Sequence, residues 1–99
     1  MNADRPTAAR RSVQVVNSKG VHMRPSSKFV KLANTFQAEV WVTCGGTRAH
    51  GKSILDMTTL AAEYGATLDL EAQGPDAEEA LAALAELVAA GFHMEDEKS

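Results

Sequence analysis

The sequence predicts an α+β fold, an open-faced β-sandwich in which three helices cover one face of a four-stranded, mainly antiparallel sheet. Four short segments show valine-rich or alternating apolar patterns, which are typical of strands with one buried face. Three other segments space their apolar residues three and four apart, as amphipathic helices do. Along the chain the order is strand, helix, strand, strand, helix, strand, helix.

The first half of the chain contains one predicted helix and three predicted strands. Valines dominate residues 12–17, which predicts the first strand. Apolar residues at helical spacing then predict a helix over about residues 23–36, with a proline in its first turn. Residues 38–43 and 47–50 are predicted strands, and the pair Gly45-Gly46 between them indicates a hairpin turn.

The second half contains the other two helices and the fourth strand. A short helix is predicted over residues 53–62, with Asp56 completing a capping box at its start. Strict alternation of apolar and polar residues predicts a strand over residues 66–72. The last helix is predicted to begin at an Asp76 cap and to end at Gly91, since glycine favours the left-handed conformation that closes helices.

The length of 99 residues fits one domain. We expect a flexible polar lead over residues 1–11, one folded domain over residues 12–92 and a polar tail over residues 93–99. The lead has no apolar core of the kind found in secretory signals, and no apolar run approaches the ~20 residues of a membrane span. These features predict a cytoplasmic protein.

The composition argues against several classes of function. A net charge of −3 gives no general reason to bind nucleic acid or an anionic membrane. The single cysteine, Cys44, excludes an internal disulfide and a cysteine-based zinc site. The histidines His22, His50 and His93 lack ligand spacing, so we expect neither a metal nor a cofactor.

The segment Gly-Val-His-Met-Arg-Pro at residues 20–25 carries the clearest chemical signal. It places His22 just before a predicted helix, where backbone N–H groups and the helix dipole favour anions. A neutral imidazole is a nucleophile that can accept a phosphoryl group, and the guanidinium of Arg24 can bind its oxygens. The alternative is a loop histidine at a helix end and a solvated arginine.

Three segments resemble the HPr family, the histidine-containing phosphocarriers of the bacterial phosphoenolpyruvate-dependent phosphotransferase system. Residues 20–25 resemble the family signature Gly-Leu-His-x-Arg-Pro, and residues 51–55 resemble its Lys-Ser-Ile/Leu segment. Residues 74–81 resemble the lead into the family's last helix. The resemblance implies an HPr-like fold and a carrier that turns over no substrate itself.

The resemblance also implies roles for individual residues. His22 resembles the histidine that enzyme I phosphorylates on Nδ1, and Arg24 resembles the arginine that assists the transfer. We expect Met23, Arg24 and Pro25 to form the turn that supports the phosphoryl group. Ser53 resembles the serine that a dedicated kinase modifies in some members.

The resemblance implies that the partners of this carrier are enzyme I and the IIA domains of sugar permeases. We expect the carrier itself to be a monomer. We expect Ile54, Leu55 and Lys28 to contribute to the docking surface. Because the helix is short, we expect one of the two apolar residues to be core and the other exposed, although both could instead be buried. Two alternatives remain open. One is a carrier of the nitrogen-related branch, which serves regulation. The other is a small-molecule-binding regulatory domain on a similar scaffold. A hydrolase is disfavoured because no second base is spaced to pair with His22.

Overall fold

The computed structural model describes residues 8–18 and 20–93, and its elements follow the predicted order. Residues 1–7 of the predicted lead and 94–99 of the predicted tail lie outside the described residues. The strands are β1 (Ala8–Gln14), β2 (Glu39–Cys44), β3 (Thr47–His50) and β4 (Thr67–Gln73), and the helices are α1 (Met23–Ala33), α2 (Ile54–Thr58) and α3 (Ala77–Ala89). A short 3₁₀ turn at Gly91–His93 follows α3.

The four strands form one antiparallel sheet in the order β1-β4-β2-β3. One face is buried, as Val40 and Val42 of β2 show, whereas Trp41 between them lies on the other face. Helix α3 packs on β1 and β4, and α1 packs against both α2 and α3. The predicted open-faced sandwich is therefore confirmed, and so is the hairpin turn between β2 and β3.

The core lies between the helices and the buried face of the sheet. Its largest fully buried side chains are those of Phe29, Phe92, Met57, Leu68, Leu70, Leu81 and Leu84. The predicted glycine at the end of the last helix is confirmed, because Gly91 has a φ of 66°. The chain turns at Gly91, and the side chain of Phe92 packs in the core.

Strand β1 begins at Ala8, whereas the sequence predicts a strand that begins at residue 12. Residues 8–11, predicted as part of a flexible lead, pair with β4 from Ala8 opposite Gln73 onward. The partner strand decides this extent, because β4 offers a hydrogen-bonding edge along its whole length. Alternation is weak in this half of β1, where most side chains face solvent.

Two helices are shorter than predicted. Helix α1 ends at Ala33, not near residue 36, because Asn34 closes it with a bond from its side-chain amide to the Val30 carbonyl, 2.9 Å. Helix α2 ends at Thr58. The hydroxyl of Thr59 binds the backbone three residues earlier, which is typical of a residue that competes with helix continuation.

The capping predictions are half right. Ser53 is the N-cap of α2, and its Oγ accepts the N–H of Asp56 at 3.2 Å. The Asp56 carboxylate does not complete a capping box, because it accepts the His50 N–H at 3.1 Å instead. Asp76 precedes α3 but makes no side-chain cap. Its carboxylate accepts the N–H groups of Gln37 and Ala38 at 2.9 and 2.8 Å.

Through these bonds, the Asp76 carboxylate holds the loop between α1 and β2 in place. The backbone N–H of Gln37, together with that of Ala38 and the charge of Lys52, lowers the pKa of Asp76 below its ordinary value of 3.8. A carboxyl whose folded pKa is lowered stabilises the fold above its unfolded pKa. That stabilisation is lost as the pH falls through the folded value.

We therefore expect Asp76→Asn to be less stable than the wild type at pH 7, with the difference shrinking below pH 3.8. Urea unfolding followed by the fluorescence of Trp41, the chain's single tryptophan, measures this between pH 7 and pH 3. The exposed carboxylate variant Glu63→Gln is the control, and its difference should stay small. A deficit of Asp76→Asn that does not change with pH would contradict this account.

Candidate functional site

His22 is the N-cap residue of α1, which is where the sequence predicts it. Its backbone is extended, with φ of −128° and ψ of −156°, and its carbonyl accepts the Ser26 N–H at 2.9 Å. This bond is the first of the helix. The His22 side chain is half-buried, and its Nε2 atom is buried. The imidazole therefore lies at the end of a helix and is only partly shielded by the protein.

The N-terminal end of α1 suits an anion. Its first turn contains no acidic residue, and His22 makes no side-chain capping bond there. The backbone N–H groups of a first helical turn point beyond the helix end and carry its positive dipole. Met23 and Arg24 are exposed at this end, whereas Pro25 is buried and fixes the turn. An arginine and the positive end of the helix dipole thus belong to the same first turn that His22 precedes.

The loop before His22 is fastened to a distant part of the chain. The Val21 N–H donates to the Ala62 carbonyl at 2.8 Å. Gly20 has a φ of 72° and packs so closely that a Cβ there would lie 2.8 Å from the Cα of Glu63. The buried side chain of Asn17 donates to the Gly20 carbonyl. These contacts set the position of His22 relative to the segment that follows α2.

That segment has an unusual backbone conformation of its own. Ala61 has a φ of 53°, in the left-handed region that costs a residue with a Cβ about 1–2 kcal/mol. The strain lies one residue before the carbonyl that holds Val21. Sequence reasoning missed both Ala61 and Asn17, because their part in the site depends on contacts between segments far apart in the chain.

Helix α2 packs against α1, and one of its apolar side chains is exposed to solvent. Leu55 is 78% exposed, while Ile54 is half-buried against the core. Ser53 is half-buried at the start of the helix, where its hydroxyl caps the backbone. The structure thus divides the two residues as the sequence predicts, with Ile54 against the core and Leu55 exposed.

Lys28 makes a contact that the sequence does not predict. Its ammonium group donates to the Phe92 carbonyl at 3.1 Å, so this side chain ties α1 to the turn after α3. A lysine stem can cover apolar surface while its charge binds a helix end. Lys28 therefore makes a structural contact, and its contribution to the docking surface stays a prediction.

The described residues contain no group of three or more His, Cys, Asp or Glu side chains that could hold a metal ion. His50 instead contacts Glu39 through Nε2 at 2.9 Å, on the sheet. Within residues 8–18 and 20–93, no helix combines the length and hydropathy needed to cross a membrane.

Comparison with known proteins matches this arrangement to one family. The family model described as the PTS HPr component phosphorylation site matches residues 9–90. The phosphocarrier protein HPr of Neisseria meningitidis serogroup A is 42% identical over 79 residues, which cover 80% of this chain and 89% of that protein. The phosphocarrier protein NPr of Escherichia coli K12 is 37% identical over 84 residues, covering 84% and 93% of the two chains.

Solved structures agree with the sequence comparison. The crystal structure of a phosphocarrier protein HPr from Bacillus anthracis str. Ames superposes with a TM-score of 0.78 at 37% identity, covering 82% of this chain and 96% of that one. The similarity extends over the sheet, the helices and the segment around His22. The chain belongs to the HPr family of the phosphotransferase system, and it is a phosphocarrier protein, not a catalytic enzyme.

Proposed function

We propose that His22 accepts a phosphoryl group from enzyme I, which takes it from phosphoenolpyruvate, and passes it to IIA domains of sugar permeases. The observation that carries this proposal is the position of His22 as the N-cap residue of α1, with no acidic residue in the first turn. An anion on the imidazole is favoured there by the helix dipole and by backbone N–H groups. We further propose that the carrier acts as a monomer in the cytoplasm.

We assign the bond-forming atom to Nδ1. The Nε2 atom of His22 is buried, so a donor that approaches from solvent has better access to the other ring nitrogen. The lone pair of Nδ1 attacks phosphorus while the bond between phosphorus and the donor breaks, and the donor keeps that electron pair. The reverse exchange delivers the phosphoryl group to the acceptor, so no water is consumed and no oxidation occurs.

Arg24 and the first turn of α1 stabilise the transferred group in this proposal. The three peripheral oxygens of a phosphoryl group carry its charge through the transfer, and preorganised cations and N–H donors lower the cost. Arg24 is exposed on the first turn, within the same helix end as His22. Pro25 supplies no N–H but fixes the backbone of the turn.

Partners dock over the helix end, on a surface that includes Met23 and Leu55. Met23 is 58% exposed and Leu55 78% exposed, and they lie on helices that pack together. Exposed apolar side chains beside a reactive group suit transient binding of several partners.

Ser53 lies immediately before α2, so phosphate added there by a kinase would place charge next to Leu55 and weaken an apolar contact. Modification of Ser53 stays a prediction.

A second candidate is the nitrogen-related carrier, because the similar proteins include an NPr as well as HPr proteins. The same chemistry at His22 serves both, so the acceptor distinguishes them. Phosphorylated protein mixed with a sugar-permease IIA domain and with a nitrogen-related IIA domain should lose its phosphoryl group faster to one of the two. Faster loss to the nitrogen-related domain would favour the second candidate.

The direct test is incubation of the chain with enzyme I and phosphoenolpyruvate. We expect a mass gain of one phosphoryl group that is lost in acid and retained in mild base, since a phosphorus–nitrogen bond is acid-labile. Omission of enzyme I or of phosphoenolpyruvate is the control and should give no gain. An unmodified wild-type chain, or an acid-stable adduct, would contradict the proposal.

A further inference from the structure

Met23 presents an oxidisable thioether to solvent directly beside the proposed phosphoryl acceptor. It is the first residue of α1 and follows His22 in the chain. Met23 is 58% exposed, whereas Met57, the other methionine in the part of the chain that the structure describes, is fully buried. A small oxidant in solution therefore reaches the side chain of Met23 and not that of Met57.

The position of Met23 in the helix brings its side chain close to the helix end. In an α-helix the Cα–Cβ bonds tilt toward the N-terminus, so a side chain covers surface on the N-terminal side of its own Cα. The residue before Met23 is the N-cap, so no earlier turn of α1 lies there. We therefore expect the thioether to lie beside the helix end where the phosphoryl group binds in the proposed function.

Peroxides convert an accessible thioether to a sulfoxide without a metal or cofactor. A lone pair of the methionine sulfur attacks one oxygen of hydrogen peroxide, and a sulfur–oxygen bond forms as the oxygen–oxygen bond breaks. The departing oxygen keeps the electron pair of the broken bond and takes the proton of the transferred oxygen, so water leaves. The sulfur is oxidised by two electrons, and the peroxide is reduced by the same two.

A sulfoxide at Met23 places a negative dipole where the native helix end has none. The first turn of α1 contains no acidic residue, so an incoming phosphoryl group meets no negative side chain from that turn. The sulfoxide oxygen is a strong hydrogen-bond acceptor, and it competes with the phosphoryl oxygens for backbone N–H groups and for the guanidinium of Arg24. The same change makes an exposed apolar side chain polar. Both effects lower the rate of phosphoryl uptake.

We propose that Met23 is a modification site for hydroperoxides, and that its sulfoxide suppresses phosphoryl uptake by His22. This inference rests on the proposed function, because it concerns the same helix end. The change is reversible, since a thiol-dependent reductase can remove the oxygen. In that step two thiols are oxidised to a disulfide, the sulfoxide is reduced to the thioether, and the oxygen leaves as water.

The test measures phosphoryl uptake by the full-length chain before and after treatment with hydrogen peroxide. Catalase removes the peroxide before enzyme I and phosphoenolpyruvate are added, so that the donor is never oxidised. Peptide mass spectrometry should find one added oxygen on Met23 and none on Met57. We expect the initial rate of uptake to fall about tenfold, as for the loss of one charge-assisted hydrogen bond. Methionine sulfoxide reductase should restore the rate.

Met23→Leu is the matched control, because leucine is apolar and cannot form a sulfoxide. This variant keeps Cys44, Met57 and the methionines outside the described residues, so it accounts for oxidation at each of them. Each chain is compared with its own untreated sample, since the substitution itself can change the rate. The ratio of treated to untreated rate should stay near one in Met23→Leu.

The outcomes separate this inference from the proposed function. A wild-type chain that is oxidised at Met23 and keeps its full rate would overturn the inference, and so would a Met23 that peroxide leaves unmodified. An equal loss of rate in Met23→Leu would also overturn it, because another residue would then be responsible. An untreated wild-type chain that accepts no phosphoryl group would refute the carrier proposal itself.

Discussion

His22→Ala is expected to abolish phosphoryl uptake from enzyme I and to leave the fold intact. Alanine has no ring nitrogen, so no phosphorus–nitrogen bond can form at the N-terminal end of α1. The substitution removes no side chain of the hydrophobic core, because His22 is not one of the buried residues that form it. Mass spectrometry after incubation with enzyme I and phosphoenolpyruvate measures the uptake. The fluorescence of Trp41 during urea unfolding reports whether the fold survives.

His50→Gln is the matched control for this variant. His50 is the other half-buried histidine, and it contacts Glu39 from the end of β3. Removing the ring costs the hydrogen bond to Glu39 and an edge-to-face contact with Trp41, each worth about 1 kcal/mol. Full uptake by His50→Gln and none by His22→Ala is the expected pair of results. Uptake that survives in His22→Ala would assign the phosphoryl group to another residue.

Gly20→Ala is expected to destabilise the protein by about 3 kcal/mol and to slow phosphoryl uptake at least ~10-fold. Its φ of 72° is unfavourable for alanine, and the new Cβ would overlap the Ala62 carbonyl oxygen and lie 2.8 Å from the Cα of Glu63. Relief of that overlap has to break the bond that holds Val21 and therefore moves His22. Urea unfolding and the initial rate of uptake measure the two effects.

Gly45→Ala isolates the part of this effect that comes from backbone conformation. Gly45 has a similar φ of 62° in the β2–β3 hairpin, but nothing lies within 4 Å of the position of its Cβ. We expect it to cost about 1 kcal/mol and to leave uptake unchanged. Equal destabilisation by the two variants would mean that the contact between Gly20 and the Ala62 segment does not position the histidine loop.

Much of the fold could be predicted because its signals are local. The alternation in β4 and the apolar stripe of α3 identify elements whose faces are buried as predicted. Element ends were less predictable, since they depend on partners. The start of β1 at Ala8 is set by β4, and the carboxylate of Asp76 serves the loop before β2 and not its own helix.

The candidate site shows the same division. His22, Arg24 and Pro25 are neighbours in sequence, so one motif was enough to place them at the start of α1. The bond that anchors this loop joins Val21 to Ala62, about 40 positions further along the chain. The exposure of Tyr64, two residues after Ala62, depends on the same packing. No local pattern reports such contacts. The bond from Lys28 to the Phe92 carbonyl is of the same kind, since it joins residues 64 positions apart.

Nuclear magnetic resonance of the phosphorylated chain, labelled with ¹⁵N in its histidines, tests the central claim most directly. Coupling between phosphorus and a ring nitrogen identifies the bonded atom without any substitution. We predict one coupled histidine, His22, with phosphorus on Nδ1, and unshifted ring signals for His50 and His93. Phosphorus on Nε2, on another histidine or on the Ser53 hydroxyl would contradict the account.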